Sequence, residues 1–180
     1  MKLLLIVPLL VAAALVPQDE IRPTDPVDHH EWLLGLVGDW KVEVETPGSS
    51  EAAFTEFETT ESVSAIGKLW VVVEGAAEFG GTPFRSMMTL GYDTEREIFV
   101  GSYVDSMQTF MWSYTGRLED EGKALVLDTK GPAMTGSGEM SNYRERIEMV
   151  DEDHRVFTSS YEGEDGEWVT FMRSEARRVE

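Results

Sequence analysis

The sequence contains no cysteine. Disulfide bonds, a thiolate nucleophile, a thiolate metal site and a lipid anchor on cysteine are therefore excluded. Basic residues are also scarce: 15 lysines and arginines stand against 34 aspartates and glutamates, for a formal net charge of −19. Nucleic acids and anionic membranes require clustered lysine and arginine, so we expect neither as a partner. The three histidines do not occur at His-x-x-x-His spacing, so we expect no multi-histidine metal site.

The first 18 residues have the pattern of a secretory signal peptide. Lys2 precedes an apolar run over residues 3–11, and three alanines follow at 12–14. The run is too short to span a bilayer as a mature helix. We therefore predict that residues 1–18 hold a signal peptide that is removed, with cleavage after Ala14 as the first choice and a site nearer Gln18 as the alternative. We also predict that the protein is exported to the periplasm or the extracellular space, with no membrane attachment after cleavage.

The next segment predicts an extended leader and then one short helix. Residues 19–27 contain two prolines, which disfavour helix. Asp28 can cap the helix that follows. The apolar positions of that helix fall on one face: Trp32, Leu33, Leu36 and Val37. Gly38 would then let the chain turn sharply into the first strand, and Trp40 would fill the floor of a barrel.

From Trp40 onward the apolar period changes to two, the period of a half-buried β-strand. The predicted strands are 40–45, 52–65, 69–73, 84–92, 98–104, 109–117, 124–129, 141–150, 155–161 and 168–177. The run 69–73 is continuously apolar and predicts the best-buried strand. The longest gap, 130–140, is either a lid or a long loop. We predict an all-β domain over residues 28–180: one antiparallel up-and-down β-barrel of about ten strands with a short N-terminal helical plug.

Four motifs then occur in a characteristic order. They are His30-x-x-Leu33-x-x-Leu36-Val37-Gly38-x-Trp40, Gly91-Tyr92-Asp93, Asp105-Ser106-Met107-x-Thr109 and a closing strand that ends in Arg177. In this the chain resembles the domain-of-unknown-function 1579 family of lipocalin-like, or calycin, barrels. The resemblance implies a closed barrel with an internal cavity, and it implies no activity. The chain departs from the family at Lys68, where arginine is usual, and at Tyr103, where tryptophan is common.

The resemblance also implies a structural latch made by Gly38, Trp40 and Arg177. In lipocalin-like barrels a late-strand arginine stacks on the tryptophan of the first strand.

His30 has two interpretations. It could ligate haem iron, as in nitrobindin-like calycins, or act as a base. Alternatively, its ring satisfies local backbone groups, which we favour, so haem is possible but not expected.

Asp105 also has two interpretations. As an inward carboxylate among aromatic rings it could act as an acid or a base. Alternatively, it belongs to a buried structural ion pair, with Arg144 or Arg146, or to a polar network, which is the interpretation we favour. Ser106 lies in no Gly-x-Ser-x-Gly motif, so a hydrolase nucleophile has no support. We expect no catalytic residue.

Aromatic and methionine side chains recur at alternate strand positions and predict a ligand cavity. The candidate cavity residues are His30, Trp70, Met88, Tyr92, Asp105, Met107, Trp112, Tyr114, Arg144, Tyr161 and Trp168. The favoured function is binding of a small, largely apolar molecule in the barrel. The alternatives are a haem protein or small-molecule-transforming enzyme that uses His30 or Asp105, and a non-catalytic barrel that contacts another protein.

Overall fold

The computed structural model describes residues 24–46, 56–136 and 138–179. The predicted signal peptide at 1–18 and most of the predicted leader at 19–27 lie outside these residues. Of the leader, residues 24–27 are described, and they are exposed and have no regular secondary structure.

Ten antiparallel strands form a closed barrel in which each strand pairs with its neighbours in sequence, and β1 pairs with β10. The helix α1 spans Asp28–Leu34, and the strands are β1 Gly38–Glu45, β2 Glu56–Ile66, β3 Trp70–Phe79, β4 Thr82–Asp93, β5 Ile98–Asp105, β6 Trp112–Glu119, β7 Ala124–Pro132, β8 Met140–Asp151, β9 His154–Glu162 and β10 Trp168–Arg178. A 3-10 turn, Asp120–Gly122, precedes β7. The predicted all-β, up-and-down barrel of about ten strands with one short helix is therefore confirmed.

The strands alternate between a buried and an exposed face, as the period of two predicts. In β1, Trp40, Val42 and Val44 are buried, whereas Lys41 and Glu43 are exposed. The buried face points into the barrel, and its apolar side chains make up most of the core. The period of two therefore separates the lining of the barrel from its outer surface.

One strand departs from the prediction of a continuously buried run. Val71 and Val73 are buried, but Trp70 is 40% exposed on the outer face of the barrel. The Trp70 ring lies against Gly91, its partner across the β3–β4 pair, and any Cβ at Gly91 would collide with the ring. Only one face of this strand is buried, because only the inner face of a closed barrel packs against side chains from other strands.

The helix α1 closes one end of the barrel, which we call the floor. Leu33 and Leu36 are buried there against the barrel core. The indole Nε1 of Trp32 donates to the carbonyl of Gly122 at 2.8 Å, and Nε1 of Trp40 donates to the carbonyl of Leu36 at 2.9 Å. The first bond fastens the helix to the turn before β7, and the second fastens the segment that follows the helix to β1, so the helix is the predicted plug.

The helix begins at Asp28 with Val27 as its N-cap residue, so Asp28 is not the cap as predicted. Instead, Nδ1 of His30 accepts a hydrogen bond from the backbone N–H of Val27 at 3.0 Å. The ring of His30 satisfies a backbone donor that lies before the first turn of the helix. This is the local backbone role that we favoured for His30.

The opposite end of the barrel, which we call the mouth, is formed in the described chain by the turn at 80–81, the loops 106–111 and 163–167, and residues 133–136 and 138–139 after β7. In the loop after β7, the N–H of Ala133 donates to the carbonyl of Glu139 at 2.9 Å. The predicted 130–140 gap is thus shorter than expected, because β7 continues to Pro132. Within the described residues, no helix is long and apolar enough to cross a membrane.

Candidate functional site

Between the floor and the mouth, the barrel encloses a cavity of about 630 Å³. Pockets that bind small molecules in proteins range from about 300 to 1,000 Å³, so the size suits one small ligand. Most of the wall is apolar or aromatic, including Val73, Phe84, Met88, Trp112, Phe157 and Phe171. The cavity remains open because inward side chains of a ten-stranded barrel do not reach across its full width.

Glu145 is the most unusual group in the cavity wall. It lies on the inner face of β8, paired with Ser159 of β9, and is only 7% exposed. Burial raises the pKa of its carboxyl from 4.5 to about 7, and a hydrogen bond with Ser159 opposes part of that rise. Its Oε2 atom has no hydrogen-bond partner among the described residues. A buried acceptor without a partner costs about 1–3 kcal/mol, so Glu145 is placed at a cost to stability.

Two tyrosine hydroxyls share this part of the cavity with Glu145. Burial raises the pKa of Tyr103, and the negative charges of Asp105 and, to a smaller extent, Glu145 raise it further. Burial also raises the pKa of Tyr114, and the charge of Glu145 adds to that rise. The Tyr103 hydroxyl also hydrogen-bonds to Ser86 on β4. These hydroxyls remain protonated at neutral pH, so this region combines two neutral hydroxyls with one carboxyl that can change charge.

At the floor, an ion pair and an indole ring form a second polar group. Arg155 of β9 binds the carboxylate of Glu61 of β2, and its guanidinium lies 4.7 Å from the centre of the Trp40 ring. The guanidinium of Arg178 lies 4.3 Å from the same ring. Arg178 also donates to the carbonyls of Val37 at 2.5 Å and Gly35 at 3.1 Å, beyond the C-terminal end of α1.

The arginine of the predicted latch is therefore Arg178, not Arg177. The β1–β10 register places Trp40 directly opposite Arg178, and Arg177 opposite Lys41. Because side chains alternate along a strand, Arg177 points outward, where its side chain is 66% exposed. Gly38 does hold the sharp turn into β1 with a positive φ of 142°, and a side chain there would collide with Arg178.

Three of the predicted cavity residues do line the cavity: Met88, Trp112 and Tyr114. Trp112 packs edge-on to Tyr143, with ring centres 5.0 Å apart, and its own ring lies over Gly131. A Cβ at Gly131 would occupy the space of the Trp112 ring. This cross-strand arrangement holds the indole against the wall and leaves the centre of the cavity open.

Three other predicted cavity residues lie on the outer surface: Trp70, Arg144 and Trp168. The Arg144 guanidinium lies 4.2 Å from the centre of the Trp168 ring, and its Nε donates to Asp128 at 2.8 Å. Arg144 points outward because its neighbour Glu145 points inward. Trp168 points outward because β10 changes register between Thr170 and Met172, which reverses the face of every residue before that point.

Asp105, Met107 and Tyr161 lie near the mouth but do not line the cavity. Oδ1 of Asp105 accepts the backbone N–H groups of Met107 at 2.7 Å and Gln108 at 3.1 Å, so this carboxylate orders the turn after β5. Oδ2 accepts the Gln108 amide at 2.6 Å. Of the two structural roles predicted for Asp105, the ion pair with Arg144 or Arg146 does not form, whereas a polar network does, made locally with Met107 and Gln108. Met107 is 66% exposed, and the Tyr161 ring lies 6.2 Å from that of Phe171.

His30 and Tyr92 lie at the floor, outside the cavity. The two rings meet edge-on at 5.8 Å, and His29 stacks on Tyr92 at 4.2 Å. Because Nδ1 of His30 accepts the Val27 N–H, the proton of the neutral ring is on Nε2. An imidazole that binds haem iron through Nε2 needs that atom unprotonated. His30 therefore does not fit the role of an iron ligand.

The third histidine, His154, is also outside the cavity. Its Nε2 lies 3.2 Å from a carboxylate oxygen of Glu175. The described residues contain no group of three or more histidine, aspartate or glutamate side chains that could hold a metal ion. The described residues that line the cavity include no histidine, so no imidazole is placed there to hold haem iron.

The prediction from sequence missed Glu145, although a signal was present. On the inner face of β8 the side chains are Tyr143, Glu145, Ile147 and Met149, so one acidic residue interrupts an otherwise apolar series. A glutamate at such a position is almost never fully buried without a partner. The single acidic residue in this apolar series was therefore the sequence signal that could have identified Glu145 as a candidate site residue.

The closed barrel, the helical plug and the internal cavity define the class of lipocalin-like β-barrels. Two solved structures share this fold at 14% sequence identity. The S-type phycobiliprotein lyase CPES from Guillardia theta matches with a TM-score of 0.56, over 86% of this chain and 94% of its own. Rv2717c from M. tuberculosis matches with a TM-score of 0.59, over 87% of this chain and 100% of its own.

A family model described as protein of unknown function, DUF1579, matches residues 25–178. The chain belongs to the DUF1579 family. No curated protein matches it in sequence. The family membership confirms the predicted resemblance, and the two structural matches show the lipocalin-like fold.

Proposed function

We propose that the protein binds one small, largely apolar molecule inside the barrel. The observation that carries this proposal is the 630 Å³ cavity with its mainly apolar and aromatic wall. Burying apolar ligand surface there would contribute about 25 cal/mol per Å² of area removed from water.

The mouth supports the proposal because it gives an apolar route into the cavity. Met134 both lines the cavity and is 59% exposed. Met107 and Met111 of the neighbouring loop are also exposed. Methionine side chains are flexible and adapt to ligands of different shape, which suits the entrance to a binding site.

The alternative function as an enzyme that uses His30 or Asp105 loses its basis. Neither side chain lines the cavity, and both already have local hydrogen-bond partners. The alternative as a protein-binding barrel would use the exposed methionines of the mouth, but these are equally explained by ligand access. Binding of a small molecule is the function that accounts for both the cavity and its entrance.

We further propose that the protein works after export, because residues 1–18 have the features of a signal peptide. Fractionation of the host and measurement of the mature mass test this. A chain that lacks its first 14 to 18 residues in the exported fraction is expected. A full-length chain retained in the cytoplasm would contradict it.

The binding proposal is tested with N-phenyl-1-naphthylamine, a neutral apolar probe that fluoresces in apolar surroundings. We expect saturable binding of one probe per chain. Ala77 lines the cavity and its neighbour Ala76 faces outward, so Ala77→Phe and Ala76→Phe add the same volume on opposite faces of β3. Ala77→Phe should abolish binding, whereas Ala76→Phe should not. Equal binding by the two variants would contradict the proposal.

A further inference from the structure

We propose that the ligand is an apolar molecule with one protonated amine, and that the ammonium group binds the carboxylate of Glu145. This inference rests on the proposed function and specifies the chemical class of its ligand. The cavity would hold the apolar body of such a molecule, and Glu145 would hold its charged end. The same wall would bind a long-chain fatty acid poorly, because a carboxylate would face Glu145.

The first support is the free oxygen of Glu145 inside the cavity. The residue is 7% exposed and its Oε2 has no hydrogen-bond partner among the described residues. Ser159 is its one side-chain partner on the neighbouring strand. An ammonium group carries three donors and no acceptor, so it would satisfy this oxygen directly. Hydrogen bonds between an ammonium and a carboxylate are about twice as strong as neutral ones.

The second support is the balance of charge in the cavity wall. The charged residues that line the cavity are Glu61, Arg155 and Glu145. Glu61 and Arg155 pair with each other at the floor and neutralise one another. Glu145 is left without a positive partner, so the described wall is one unit negative when it is ionised. The formal net charge of the whole chain, −19, also favours the approach of a cation over that of an anion.

The third support is a group of aromatic side chains that line the cavity near Glu145. Tyr114 lines the same region, and its pKa responds to the charge of Glu145. Trp112 and Tyr143 line the cavity next to each other, with ring centres 5.0 Å apart. The faces of such rings attract a desolvated cation, most strongly in the case of tryptophan. These rings would favour the methylene groups next to the ammonium as well.

Binding of the amine would ionise Glu145 and release its proton to solvent. Glu145 hydrogen-bonds with Ser159 of β9, and its charge raises the pKa of Tyr103 on β5 and of Tyr114 on β6; none of these three groups is charged at neutral pH. The other charged groups that line the cavity, Glu61 of β2 and Arg155 of β9, pair with each other. With a pKa of about 7, the carboxyl is mostly protonated at pH 6. Overall, the protonated amine and the neutral carboxyl of Glu145 form an ammonium–carboxylate pair, and one proton is released to solvent.

Calorimetric titration with decylamine, decanol and decanoate tests the proposal, because these probes differ only in the head group. At pH 7 we expect the wild-type protein to bind decylamine about tenfold more tightly than decanol, a difference equivalent to about 1.4 kcal/mol. Decanoate should bind more weakly than decanol. Glu145→Gln should remove the preference for the amine and keep decanol binding. Glu74→Gln, the same substitution on the exposed outer face of β3, should keep the preference.

Proton release gives a second readout that does not depend on the variant. Titration with decylamine at pH 6 in two buffers of different ionisation enthalpy should show release of close to one proton per ligand by the wild-type protein. If the amine binds no more tightly than the alcohol, or Glu145→Gln keeps the preference, this inference is wrong and the proposed function stands. If none of the three probes binds, the proposed function itself is wrong.

Discussion

The floor of the barrel is tightly packed around paired polar groups, whereas the mouth exposes apolar side chains to solvent. At the floor, the indole of Trp40 is fully buried, donates to Leu36 and packs against the guanidinium groups of Arg155 and Arg178. At the mouth, the side chains of Met107 and Met134 are mostly exposed. Between the two ends lies Glu145, buried with one oxygen free.

This difference indicates that one end of the sheet stabilises the fold and that the other end leaves space for a ligand. Most of the fully buried large side chains lie at the floor, where they stabilise the fold. The cavity and the mouth lack such packing, which lowers stability but leaves room for a ligand. Functional sites commonly carry such a cost in stability. Truncation of apolar side chains should therefore lower the free energy of unfolding most at the floor, whereas at the cavity and mouth it should act mainly on binding.

The largest effect is expected for Trp40→Ala. Loss of a fully buried indole and of its two guanidinium contacts should lower the free energy of unfolding by about 3–5 kcal/mol. Trp112→Ala, at the wall of the open cavity, should cost under about 2 kcal/mol because one side of that ring faces open space. Urea denaturation of both variants measures the difference. Equal losses would show that floor and cavity are not distinct in stability.

The second effect concerns the pH dependence of stability. The pKa of Glu145 is raised from 4.5 to about 7 in the folded protein, so the folded state binds more protons than the unfolded state between these values. Its contribution to stability is therefore fully present below about pH 4.5 and falls as pH rises to about 7, by roughly 3 kcal/mol in total.

Glu145→Gln removes this titration. The variant should be more stable than the wild-type protein at pH 8, by an amount that disappears near pH 4.5. Thermal denaturation across this range, with Glu74→Gln as the surface control, measures the difference between the two curves. A constant difference at every pH would show that the Glu145 carboxyl is not held in its neutral form by burial.

The third effect tests which arginine fastens the plug. Arg178→Met should lower the free energy of unfolding by about 2 kcal/mol, because the bonds to the carbonyls of Val37 and Gly35 are lost. It should also speed amide exchange in α1. Arg177→Met, one residue earlier and exposed, should change stability by less than about 0.5 kcal/mol. A larger loss of stability in Arg177→Met than in Arg178→Met would show that Arg177 is the arginine of the latch.

The smallest effect on stability is expected at the mouth. Met107→Ser together with Met111→Ser should change the free energy of unfolding by less than about 0.5 kcal/mol, since both side chains are exposed. The same double variant should slow association of N-phenyl-1-naphthylamine in stopped-flow fluorescence. Met87→Ser, also exposed but on the outer face of β4, is the matched control. An unchanged rate in the double variant would remove the mouth methionines from the route of access.

Sequence patterns were sufficient for the barrel because each strand carries its own period of two. They were not sufficient for the site, because a period of two does not say where the register shifts. The change of register between Thr170 and Met172 moved Trp168 to the outer face. The pairing of β1 with β10 placed Arg178, rather than Arg177, opposite Trp40. Both outcomes depend on contacts between distant strands.

Glu145 shows the opposite case, in which the local pattern carried the information. Its neighbours on the same face, Tyr143 and Ile147, are apolar or aromatic and are buried. The alternation alone predicts that Glu145 shares their face. What it could not supply is the absence of a partner for Oε2, which follows from the side chains that β5, β6 and β9 place around it.

The most direct test of the central claim is to locate a bound apolar ligand by nuclear Overhauser effects in protein with labelled valine and methionine methyl groups. We expect contacts from N-phenyl-1-naphthylamine to Val73 and Met88, which line the cavity, and none to Val72 and Met87, which face outward on the same strands. Contacts restricted to the outward methyl groups, or the absence of saturable contacts, would contradict binding inside the barrel.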